Sequence, residues 1–152
     1  MLKMKPTSQI IARLGIQPNG PAQKFFCNEC YRYMAPFVPG GINSHLNQNV
    51  IIAKDGSSVT YLGPDAHYLF NGILYVDPKY EKGAFFNSDY GFWSRPGITK
   101  IPSERQLKYH APGTGAHWDK LMWTSKGEEV IANVQKFVER GCKQWLKRLE
   151  NI

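Results

Sequence analysis

Residues 107–119, LKYHAPGTGAHWD, place two histidines and an aspartate within thirteen positions. His110 and His117 are the residue type that exchanges protons near neutral pH, and Asp119 is the type that orients an imidazole. Such a pair does chemistry only beside a nucleophile or a metal. The chain has no Gly-x-Ser-x-Gly elbow and no His-Glu-x-x-His, and the separation of the histidines is not a recognised ligand spacing. Gly113-Thr114-Gly115 lacks the Lys-Ser/Thr pair of a phosphate-binding loop, and no strand–loop–helix frame precedes it. These residues read better as a chain reversal. A strand over 107–110 turns at Pro112 and the two glycines, and His117 and Trp118 lead toward the last helix. Leu121, Met122 and Trp123 anchor that approach.

Cys27 and Cys30 form a Cys-x-x-Cys, the half-site of a zinc centre or a redox motif. No second ligand pair follows, since the remaining cysteine, Cys142, stands alone. The motif lies within FFCNECYRYM, where Ala22, Phe26, Cys30, Tyr33 and Phe37 recur at helical spacing. Cys30 is therefore expected to face the core as a small apolar residue.

These residues must be positioned by a chain of 152 residues, enough for one domain, with residues 1–17 as a flexible leader. An apolar content of 42% argues against disorder. No apolar run is long enough to span a bilayer or serve as a signal peptide, so a cytosolic protein, or one assembled in a cytosol, is expected. The net charge of +7 favours acidic partners, nucleic acid among them.

Pro21 starts a first helix over 21–35, and Pro36 with Pro39-Gly40-Gly41 ends it. Asn49–Ala53 and Val59–Leu62 are β-branched runs around Asp55-Gly56-Ser57-Ser58, a hairpin signal. Asp65 is expected to cap a helical turn that stops at Gly72, before a strand over Ile73–Val76. Residues 77–106 mix Gly, Pro and aromatics without period and read as a long loop whose aromatics either fold it onto its own body or form an apolar contact surface. Ser125-Lys-Gly-Glu128 is a capping box, which predicts a C-terminal helix of roughly 25 residues. Its apolar face would be Ile131, Val134, Val138, Cys142, Trp145 and Leu149, flanked by Val130, Phe137 and Leu146. Lys136, Arg140, Lys143 and Lys147 lie on the opposite face, with Glu139 placed to pair Lys143.

The fold class expected is α+β: a small, mostly antiparallel sheet packed by the first helix and the long last helix, with the aromatic Gly/Pro loop between them. Tyr68–Gly72 running into Ile73–Pro78, then Ile101–Arg105, Leu107–His110 and His117–Lys120, occur in an order that resembles the minor capsid proteins of tailed phages of Gram-positive bacteria. The resemblance covers roughly residues 20–150. A looser similarity extends to neck and tail-completion proteins, from which Val38–Leu46 departs by its early glycine.

The resemblance implies a non-enzymatic virion protein without metal or cofactor, assembled in the host bacterial cytoplasm and located in the neck. It implies a homo-oligomeric ring whose neighbours are head-completion, portal-proximal and tail-terminator proteins. The positive balance is compatible with non-specific contact with genomic DNA, and the alternative is a basic nucleic-acid-binding module acting at DNA packaging or ejection. The interface is expected in the long loop. Tyr80, Phe85, Phe86, Tyr90, Phe92 and Trp93 would be its anchors, and Arg95, Lys100 and Arg105 its polar edge.

Overall fold

The computed structural model describes residues 7–151, less the side chains of Trp145, Leu146 and Leu149. The expected α+β class is what the chain adopts, but the described strands form three separate two-stranded antiparallel sheets rather than one.

Within the expected leader, Thr7–Leu14 forms helix α1, which lies against the C-terminal helix. Pro21–Met34 forms α2, with Pro21 in its first turn where a missing N–H costs nothing. A single 3-10 turn, Ala35–Phe37, follows. Ser44 caps the short α3, His45–Gln48, its hydroxyl accepting from the Asn47 N–H.

Strands β1 (Val50–Ile52) and β2 (Val59–Tyr61) form the expected hairpin. Its turn sits on α2: Gln23 donates to the Gly56 carbonyl, and a Cβ at Gly56 would come within 2.9 Å of the Lys24 backbone. Glycine is required there for that approach and for a φ of +74°. Helix α4 (Ala66–Asn71) stops at Gly72, in the left-handed region as expected, but Asp65 makes no side-chain cap.

Strand β3 (Ile73–Val76) pairs with β6 (Ile101–Gln106) through a register shift. The strand expected over 107–110 is thus displaced toward the N-terminus. Between β3 and β6 the expected loop folds into its own hairpin, β4 (Phe85–Asn87) and β5 (Gly91–Trp93).

Helix α5 runs from Trp118 to Glu150, eight residues longer at its start than the capping box predicts, so Ser125 lies inside the helix. The reason is burial. Trp118 and Met122 are 2% and 3% exposed and join Val130, Met34, Val38, Leu46 and Ala66 in the core. Trp118 meets Tyr61 and Phe70 edge-on, at 5.3 and 4.9 Å. Ile131, assigned above to the apolar face, is exposed. Trp145, Leu146 and Leu149 of that assignment lie outside the described side chains.

Candidate functional site

Residues 107–119 form a structural turn leading into α5. Thr114 donates to the Ala111 carbonyl at 2.7 Å, and Gly113 has a φ of +78°. Tyr109 donates to the Leu69 carbonyl, tying the segment to α4. His117 adopts a left-handed φ of 49°, a region His enters more readily than most residues. Its N–H donates to the Phe70 carbonyl, and its carbonyl accepts from Lys120 and Leu121, starting α5. Its ring meets Phe70 edge-on, whereas His110 is exposed.

The cysteine pair follows the same structural logic. Cys27 is the buried member, and its thiol donates to the Ser58 carbonyl, while Cys30 is half-buried against the core. Desolvation raises both thiols, Cys30 to about 11. No group of three or more His, Cys, Asp or Glu among the described residues could hold a metal.

The feature that stands out is the β4–β5 hairpin. Asn87 opens its three-residue turn by accepting from the Asp89 N–H, and Gly91 closes it with a φ of +81°. Strand alternation then sorts the aromatics. Phe85 and Trp93 stack on one face at 4.8 Å, and Tyr80 meets Phe85 edge-on. Phe86 and Phe92 pair at 5.1 Å on the other face and are 68% and 77% exposed. Tyr90, at the tip, is exposed as well.

An isolated two-stranded hairpin is marginal in water, so this one needs a brace. Asp77 supplies it from the end of β3, though nothing singled it out as a site residue. Its carboxylate, almost fully buried, accepts from the Lys79 and Tyr80 N–H groups and from two nitrogens of Arg95. The Arg95 guanidinium, helped by those two N–H groups, holds the carboxyl well below the usual range. Arg95 also covers the Tyr80 ring. An Asp followed at two and three residues by free N–H groups is the local signal that could have revealed it.

The expected polar edge is therefore internal bracing. Arg95 holds Asp77, Lys100 donates to the Gly83 carbonyl, and Arg105 donates to the Glu81 carbonyl. All three tie the base of the hairpin to the β3–β6 ladder. At that base lies a 710 Å³ cleft lined in part by Tyr68, Ile73, Leu74, Ile98 and Leu107.

No helix among the described residues is long and apolar enough to cross a membrane. Comparison with protein families, curated proteins and solved structures finds no match to the chain.

Proposed function

We propose that this chain is a structural virion protein of the head–tail connection of a tailed phage, a ring subunit between head-completion and tail components. The carrying observation is the braced hairpin, which holds Phe86, Tyr90 and Phe92 out in solvent. Ordering exposed aromatics on a marginal hairpin costs stability unless a partner covers them, and a few such anchors dominate interfaces. A ring needs two different faces on each subunit. The hairpin tip is one, and the cleft at the base of the neighbour's hairpin is the other. Contacts that are weak singly gain strength when repeated around a closed ring.

The segments that carry the resemblance support this reading because they form one spatial unit. Ile73–Val76 pairs with Ile101–Gln106, Tyr109 bonds the Leu69 carbonyl, and the His117 N–H bonds that of Phe70. Together they are the platform from which the hairpin projects. The reading gives no residue a catalytic, metal or cofactor role and places the protein in the virion neck.

Quantitative mass spectrometry of purified particles tests it. The chain should be present in several copies per particle, in a fixed ratio to the portal protein. A chain abundant in the lysate and absent from particles would refute the reading.

A further inference from the structure

The second surface that the core does not explain lies on the C-terminal half of α5. Lys136, Arg140, Lys143 and Lys147 fall within about 60° of arc on the helix and extend over about 16 Å. All four are exposed, and among the described residues none makes an ion pair. Glu139, expected to pair Lys143, does not. Like charges three and four residues apart oppose helix formation, so the stripe costs the fold stability. The helix dipole accounts for Lys147 and Arg148 in the last turn, but its influence does not reach back to Lys136 and Arg140.

The stripe rests on a fixed base. Phe25 of α2 stacks on Phe137 at 4.4 Å, and Asn133 donates to Glu29 and to the Tyr33 hydroxyl. Lys136 and Arg140 border a 210 Å³ cleft between α2 and α5, with Arg32 on its other side. Glu29, the buried carboxylate there, is committed to Arg32 and Asn133. Glu29 thus balances Arg32, and Lys136 and Arg140 are the cations of the cleft that make no ion pair among the described residues.

We infer that this stripe is a sequence-independent binding surface for the phosphodiester backbone of duplex DNA. A line of regularly spaced cations suits a partner whose anions also repeat along a line, as phosphates do. An acidic protein would want apolar anchors at the centre of its footprint. Within the arc only the four cations occur, with Glu139 and Gln144 at its margins. Nothing there reads base edges, so sequence preference is not expected. This surface is separate from the hairpin, and the inference does not rest on the ring reading.

The test is fluorescence anisotropy with the full chain and a mixed-sequence 30-bp duplex. Four phosphate contacts predict a log–log salt slope of about −3.6, or roughly a hundredfold weakening from 50 to 200 mM salt. The triple variant Lys136→Gln/Arg140→Gln/Lys143→Gln should melt as the parent does and reduce the slope to about −1. The control Lys54→Gln/Lys108→Gln/Lys120→Gln removes the same charge from other exposed positions and should bind almost as the parent. If the stripe triple does not fold, Lys136→Gln and Lys147→Gln singly should each lower the slope by about 0.9. Equal losses in the two triples, a slope near zero, or equal displacement of the DNA by polyglutamate or by phosphatidylglycerol vesicles would each overturn the inference.

Discussion

Arg95 reaches back across eighteen residues to Asp77, its Nε at 2.6 Å from one carboxylate oxygen and an Nη at 2.7 Å from the other. This fork-to-fork pair closes the excursion that carries the β4–β5 hairpin and returns it to β3. Its Asp77 end is nearly fully buried and its Arg95 end is partly open to water. The bracing predicts a linked pH response. Because the folded state lowers the Asp77 carboxyl, its contribution is complete above the ordinary carboxylate value of about 4 and is lost as pH falls from there through the folded value. Asp77→Asn should therefore melt below the parent at pH 7, and the gap should close toward pH 2. Hydrogen exchange should speed up at Phe85 and Trp93, the hydrogen-bonded pair next to the one that closes the turn, in the variant. A gap independent of pH would show that the carboxylate charge does no bracing.

The α5 packing predicts a contrast between neighbours on one helix. Trp118→Ala removes a ring wedged between Tyr61 and Phe70 and should cost about 3–5 kcal/mol in denaturant unfolding. Ile131→Ala, on the exposed side, should change stability by no more than about 0.5 kcal/mol. Equal costs at the two positions would mean that α5 is rotated relative to the core.

Gly72 is the test of the turn between α4 and β3. Its φ is +72°, and a Cβ there would stand 2.7 Å from that of Ala116. Gly72→Ala should destabilise by more than about 1 kcal/mol, measured by chemical denaturation, since both the backbone and the neighbour must yield. A neutral substitution would show that the 107–117 segment does not pack against this turn.

The cysteines should behave as buried thiols. Raising Cys30 from its ordinary value near 9 to about 11 leaves roughly a hundredfold less thiolate at pH 8. Alkylation of Cys30 should be correspondingly slow in the native protein and reach the rate of a free thiol in denaturant. Protein purified without chelator should carry no stoichiometric zinc. One zinc per chain would reassign the pair.

Where local chemistry decides, the sequence was readable. Pro21 starts α2, the Asp55–Ser58 turn makes the β1–β2 hairpin, and Gly72 stops α4. The β4–β5 hairpin was hidden because aromatics occupy both of its faces. Phe85-Phe86 and Phe92-Trp93 erase the alternation by which a half-buried strand is known. Strand β6 was hidden for another reason, since its polar run around Pro102 becomes a strand only by pairing with the distant β3. At α5 a good local signal, the Ser125 capping box, lost to burial of Trp118 and Met122. Arg95, Lys100 and Arg105 could be recognised as charges, but their partners are two carbonyls and a carboxylate that only the fold brings near. The loop aromatics stand out by type, but the sequence does not separate Phe86 and Phe92, which pair on one face, from Trp93, which stacks on Phe85 on the other.

That separation selects the variant for the most direct test of the hairpin as the subunit contact. Phe86→Ser/Phe92→Ser removes only the exposed pair and leaves the Phe85–Trp93 stack and the Asp77–Arg95 brace in place. The measurement is electron microscopy of particles assembled with this variant as the sole source of the protein. The variant is predicted to keep the parent's circular dichroism and melting temperature, and to leave full heads and free tails unjoined. A folded variant that still yields joined, infectious particles at the parental level would contradict the account.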